Sequence, residues 1–330
     1  MPIVAKLARG RRQRRGPRRL KSVRTIPALL TLSNLVCGFA AIHFGLQGMY
    51  DYGAGVPSSD VITGHSALLE RMLPSLISVG AGLIILGMVF DSVDGLVARM
   101  TRSTTDFGGQ LDSLADVVTC GVAPAILMIA YMHQELKSLD MSLSPLSADT
   151  MGRAVWVSAA VYVACAAVRL ARFNVEHATA EYDPATFRGL PSPGAASMIV
   201  TALICLEQAR EYGIAVPGGM RVHAIPATTV VYLMPVLALG SGLLMVSRVR
   251  YRKLSAMLQG KRPFGQLILM ILLFAIFWPF KAFFLTLLVV VYGVSGPAEF
   301  IVRRLHARRS ADAGATAAAT PVDADTHKTA

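Results

Sequence analysis

Four aspartates, Asp91, Asp94, Asp112 and Asp116, fall in one short stretch of a chain that is 54% apolar. A carboxylate at membrane depth costs about 3 kcal/mol or more unless something neutralises it, so four together demand a partner. Asp91 and Asp94 are three residues apart and Asp112 and Asp116 four apart, and each interval sets both side chains on one face of a helix. If the two helices form a hairpin with Arg99 to Phe107 as its turn, all four carboxylates converge at one end. Arg99 or Arg102 could pair with one of them, but not with all four. Oxygen ligands in this density suit a hard divalent cation, Mg²⁺ or Mn²⁺. Gly95, Ala98 and Gly108 flank the acids with small or absent side chains, which leaves room for a bulky ligand to approach the backbone.

These eight positions, Asp91, Asp94, Gly95, Ala98, Arg99, Gly108, Asp112 and Asp116, match the pattern D-x-x-D-G-x-x-A-R-(x)8-G-x-x-x-D-x-x-x-D without gap or substitution. The stretch resembles the CDP-alcohol phosphatidyltransferase family of integral membrane enzymes. The resemblance implies that Asp91, Asp94 and Asp112 bind metal, and that Asp116 contributes to metal binding and deprotonates an incoming hydroxyl. Residue types alone do not separate the ligands from the base. It further implies two divalent ions, Mn²⁺ or Mg²⁺, clamping a pyrophosphate and stabilising the leaving group. Arg99 would meet phosphate oxygens with its planar fork, beside Gly95, Ala98 and Gly108. Asn34, near one end of the first apolar run, either caps or bonds a neighbouring helix or, as the resemblance suggests, contacts the nucleotide or substrate. In this family CDP-diacylglycerol donates its phosphatidyl group to an alcohol and CMP leaves.

Two further stretches, Arg169 to Asn174 (RLARFN) and Phe187 to Ala195 (FRGLPSPGA), resemble the phosphatidylserine synthase branch. Arg169 and Arg172 are three apart, so a helix can turn both into one cleft, where they would hold the carboxylate of L-serine. Asn174 would hydrogen-bond the acceptor's polar groups, and Arg188 is a further candidate for that pocket. The competing reading is that these arginines only satisfy the positive-inside bias and contact lipid phosphate.

The elements that must position these groups are membrane helices. A mean hydropathy of +0.52 with 16% charged residues excludes an ordinary soluble domain of this length. The expected fold is all-α: a polytopic integral membrane bundle of about eight transmembrane helices, six forming the family core and two following it. The expected division is a basic cytoplasmic segment at 1–25, the catalytic membrane domain at 26–246, a basic loop with two additional spans at 247–305, and a disordered cytoplasmic tail at 306–330. The net charge of +12 sits in the N-terminal block and at the ends of apolar runs, which favours anionic lipid over nucleic acid. Most of the 32 Lys and Arg residues fall on the cytoplasmic side when the N-terminus is placed inside, and the aspartates then face the cytoplasm from a cell inner or plasma membrane. The cysteines Cys37, Cys120, Cys165 and Cys205 lie in apolar runs and read as packing residues. A homodimer is expected from the resemblance alone.

Two alternatives stay open at this level. The acceptor could be another alcohol, such as inositol phosphate, glycerol phosphate or choline. From a different class, the acids could line a cation transport pathway, although a transporter calls for polar groups deeper in several spans.

Overall fold

The computed structural model describes residues 25–55, 73–101, 106–146, 148–178, 186–212, 214–215, 221–222, 226–247, 249–252 and 285–298. The expected basic segment, the seventh span, most of the last interhelical loop and the tail lie outside these residues. The main helices are α1 (Thr25–Ala54), α2 (Leu76–Thr101), α3 (Asp106–Asp116), α4 (Ala123–Lys137), α5 (Thr150–Ala178), α6 (Ser192–Tyr212) and α7 (Ala227–Val246). A π-helical segment, Val117–Val122, joins α3 to α4 without a break in the rod. A shorter apolar helix, α8 (Leu285–Ala298), falls in the region of the expected eighth span.

Among the described residues, five segments are long and apolar enough to cross a membrane: Ala28–Ala54, Leu76–Gly95, Phe107–Lys137, Thr150–Val175 and Ala227–Val246. The protein is therefore an integral membrane protein. The expected fifth span is present as the 21-residue helix α6, but Ser, Thr, Gln, Glu and Arg in its sequence keep it below that apolar standard. The described residues thus hold five membrane-length apolar helices, α6 and the shorter α8, and the expected seventh span lies outside them. Two minor sheets accompany the helices: β1 (Thr186–Arg188) pairs antiparallel with β4 (Arg250–Arg252), and β2 (Ile214–Ala215) with β3 (Arg221–Val222). Strands of two or three residues carry no alternation that a sequence pattern can reveal.

Helices in lipid gain little from hydrophobic burial against one another and rely on close van der Waals approach. Glycine supplies that approach where α1 and α2 cross α4: a Cβ on Gly45 or on Gly80 would stand 2.8 Å from Leu127 Cδ2. α1 packs along α2, and α5 along α7. The core between them is lined by Ile77, Ile84, Leu127, Met128, Tyr162 and Met234, each at most 1% exposed. At the end of the bundle away from the aspartates, Arg210 on α6 pairs with Glu135 on α4 at 3.5 Å, and Gln134 donates to Gly48 O at 3.3 Å. These contacts give Glu135, Gln134 and Arg210 polar partners within the protein. All four cysteines are free.

Candidate metal centre and active site

The carboxylates of Asp91 and Asp94 come from the last turns of α2, and that of Asp112 from α3. One oxygen from each lies within 4.8 Å of the other two. Helical spacing puts each pair on one face, and α2 and α3, both packed on α1, bring Asp91, Asp94 and Asp112 together. Asp94 is buried, at 5% exposure, and Asp91 and Asp112 are partly exposed at the rim. Asp112 Oδ1 is buried and has no hydrogen-bond partner among the described residues. An orphaned carboxylate oxygen in a three-aspartate cluster is what a cation of hard character would complete, so the donor set fits Mg²⁺ or Mn²⁺.

The first helix braces this cluster. Thr31 Oγ1 on α1 donates to Asp94 Oδ2 at 2.7 Å, and one turn later Asn34 Nδ2 donates to Asp116 Oδ1 at 3.3 Å. Asn34 is 1% exposed, so its amide lies behind Asp116 rather than in an open cleft. Gly87 on α2 makes this approach possible, because a Cβ there would stand 2.8 Å from Asn34 Oδ1. The carboxylate partners of Thr31 and Asn34 are not legible in the sequence. The available signal is two polar residues three apart on a membrane helix.

Of the small residues in the motif, Gly95 faces open space, with nothing within 4 Å of a Cβ built on it. Ala98 and Arg99 occupy the final turn of α2, and Gly108 the first turn of α3. The side chains of Ala98 and Arg99 lie outside the described residues, as do residues 102–105 between the two helices.

The acceptor candidates divide. Asn174, exposed near the end of α5, accepts a hydrogen bond from Ser113 Oγ at 2.9 Å, which sets it beside the aspartate helix. Arg169 is 8% exposed, and its guanidinium donates from Nε to Leu190 O and from Nη1 to Ser192 Oγ at 3.1 Å. Arg172 Nη2 donates to Val246 O at 3.0 Å. Both arginines thus tie α5 to the start of α6 and the end of α7. Arg188 sits on β1 opposite Arg250, and its side chain is outside the described residues. Gly189, at φ +81°, lets the chain turn from β1 into α6 while its N–H bonds Val249 O at 2.7 Å.

The family model described as CDP-alcohol phosphatidyltransferase matches residues 24–231, which contain every aspartate of the cluster, the bracing α1 residues, Arg169 and Arg172. The chain is similar to proteins named CDP-diacylglycerol–serine O-phosphatidyltransferase. The relative from Helicobacter pylori is 32% identical over 51% of this chain and 58% of its own length. The one from Methanocaldococcus jannaschii is 32% identical over 48% of this chain and 62% of its own length. That from Bacillus subtilis is 30% identical over 53% of this chain and 73% of its own length. The chain therefore spans less than two thirds of the Helicobacter and Methanocaldococcus relatives. With a family model covering more than half its length, this chain belongs to the CDP-alcohol phosphatidyltransferase family.

Proposed function

We propose that this protein transfers the phosphatidyl group of CDP-diacylglycerol to the hydroxyl of L-serine, releasing CMP and forming phosphatidylserine. The observation that carries the reading is the convergence of Asp91, Asp94 and Asp112 within 4.8 Å, with one buried oxygen left unsatisfied. The serine acceptor is supported by similarity to the three relatives bearing that name.

In this mechanism Asp91, Asp94 and Asp112 hold two divalent ions, with Asp116 as a further ligand. Bound there, Mg²⁺ or Mn²⁺ supplies neutralisation of the charge that develops on the pyrophosphate and on departing CMP. Thr31 fixes the rotamer of Asp94 through its 2.7 Å hydrogen bond. Asp116, oriented by Asn34, takes the proton from the serine hydroxyl. The freed oxygen bonds to the phosphatidyl phosphorus, the bond to the bridging oxygen breaks, and CMP leaves with that electron pair. The open surface at Gly95 gives the diphosphate backbone-close access, and Arg99 in the same turn contacts its oxygens. The acyl chains stay in the bilayer, which accounts for a catalyst built of membrane helices.

Arg169, Arg172, Asn174 and Arg188 form the acceptor side. Asn174 reaches the aspartate helix through Ser113, and the arginines supply positive charge for the serine carboxylate. The site faces the cytoplasm, in keeping with the bias of Lys and Arg, and the active form is a homodimer.

The test is CMP release by purified protein given CDP-diacylglycerol and Mn²⁺, with and without L-serine, beside an Asp116→Asn variant. Serine-dependent release lost in the variant supports the reading. Release that answers only to another alcohol moves the acceptor, and none with any alcohol overturns the reaction.

A further inference from the structure

The rod that carries Asp112 and Asp116 changes its winding immediately after the second aspartate. Ala123 N–H bonds Val118 O, a π-type bond, where an α-helix would use Thr119 O. Pro124 explains the change. It has no N–H to offer Cys120 O, its partner in an α ladder, and its ring crowds that same carbonyl. A buried carbonyl left bare costs about 1–3 kcal/mol. The deficit is met from another helix: Tyr162 on α5 donates its hydroxyl to Cys120 O at 2.7 Å, with Tyr162 0% and Cys120 1% exposed.

The segment is also pinned from the α1 side. Thr119 Oγ1 donates to Asn34 O at 3.0 Å, on the same residue whose side chain orients Asp116. Three glycines permit this fit. A Cβ on Gly38 would collide with Thr119 Oγ1, one on Gly87 would stand 2.9 Å from Thr119 Cγ2, and one on Gly121 would stand 3.3 Å from Ala166 Cβ. Tyr162 itself is backed by α7, where a Cβ on Gly242 would stand 3.2 Å from its Cα. One extra residue in a turn rotates the residues before it by about 100° relative to those after it. The face presented by Asp112 and Asp116 is therefore set by whether the π turn is held or relaxes.

We propose that Tyr162 is a positioning residue for Asp116: by donating to the Cys120 carbonyl that Pro124 leaves bare, it holds the π turn and so keeps Asp116 against Asn34. This rests on the reading of Asp116 as proton acceptor and metal ligand. Tyr162 acts through the backbone and needs no contact with substrate.

The experiment uses the full chain in detergent or nanodiscs and compares Tyr162→Phe, Pro124→Ala, their combination and Ser158→Ala. Ser158 is the control, since it is fully buried on the same helix but its hydroxyl bonds Val155 O of its own turn at 2.7 Å. Tyr162→Phe should lower kcat about 10- to 100-fold with KM for CDP-diacylglycerol within about threefold, and weaken Mn²⁺ binding about tenfold in an EPR titration. Ser158→Ala should change neither. In the double variant the restored N–H at position 124 satisfies Cys120 O, so the melting temperature should recover while kcat and Mn²⁺ affinity stay low. Recovery of all three would make Tyr162 a purely structural residue and overturn the proposal, as would wild-type kcat and Mn²⁺ affinity in Tyr162→Phe. Should Tyr162→Phe fail to fold, the double variant decides, with wild-type kcat and Mn²⁺ affinity as the overturning result. If the wild type releases no CMP with any alcohol, the reaction reading fails separately, and the Mn²⁺ titration still tests the positioning role.

Discussion

Thr31 Oγ1 lies 2.7 Å from Asp94 Oδ2, joining α1 to the aspartate cluster across 63 positions of sequence. The contact is buried at both ends, with Thr31 and Asp94 each 5% exposed. A hydrogen bond to a charged acceptor contributes about 1.5–3 kcal/mol, more than a neutral one, because the alternative is a carboxylate without a donor. Thr31→Val keeps the shape and removes the donor. The expected outcome is a Mn²⁺ requirement raised about tenfold with the maximal rate largely recovered at high Mn²⁺, read from CMP release against metal concentration.

Asn34 plays the matching part for Asp116, and its environment is tight. Gly87→Ala would bring a Cβ to 2.8 Å from Asn34 Oδ1 and 2.9 Å from Thr119 Cγ2, on side chains that are 1% and 0% exposed. Overpacking of this kind costs about 1–3 kcal/mol. The variant should lose at least about tenfold in kcat and melt at a lower temperature, checked by single-turnover CMP release and by thermal unfolding in detergent.

Asn34→Leu removes the amide that donates to Asp116 Oδ1 while retaining bulk. The expected result is a fall in kcat of about 10-fold or more, with KM for CDP-diacylglycerol changed far less, since in the proposed mechanism the lost contact orients the proton acceptor. Equal effects on both parameters would place Asn34 in donor binding.

Arg169→Lys keeps the positive charge but cannot serve Leu190 O and Ser192 Oγ together. Leaving one buried acceptor without its donor costs about 1–3 kcal/mol. The variant should therefore melt earlier and, if the start of α6 helps form the acceptor pocket, show a larger rise in the serine KM than in the CDP-diacylglycerol KM. Steady-state kinetics in both substrates checks this. A change in stability with both KM values intact would leave Arg169 as a clamp alone.

Metal removal tests the cluster without reference to turnover. Three carboxylates within 4.8 Å repel one another when no cation is bound. Dialysis against EDTA should abolish CMP release and lower the melting temperature. Saturating Mn²⁺ should restore both, with about 2.7 kcal/mol of stabilisation at a hundredfold excess over Kd. Asp112→Asn should raise the stability of the metal-free protein by removing one like charge, and should lose the Mn²⁺-dependent rise. Thermal scans with and without metal measure both effects.

The shared faces of Asp91 with Asp94 and of Asp112 with Asp116 are legible in residue spacing alone, because the helical period converts intervals of three and four into neighbours. The apolar runs are legible for a similar reason, as hydropathy is a local sum. Run boundaries are less so: α1 continues to Ala54 and the third span to Lys137, since polar residues at helix ends still complete the backbone ladder. α6 reads as a helix from its sequence, yet it depends on burial against its neighbours as much as on its own hydropathy. Tertiary structure alone decides what each functional carboxylate touches. The bonds from Thr31 to Asp94, Asn34 to Asp116 and Tyr162 to Cys120 O span 63, 82 and 42 positions, and no local pattern encodes such distances. The β1–β4 pairing and the arginine contacts to Leu190 O and Val246 O belong to the same class, because they form only after separate helices have packed. Pro124 is plain in the sequence. That its missing N–H is answered by Tyr162, on a helix distant in the chain, is decided only where separate helices meet at one carbonyl.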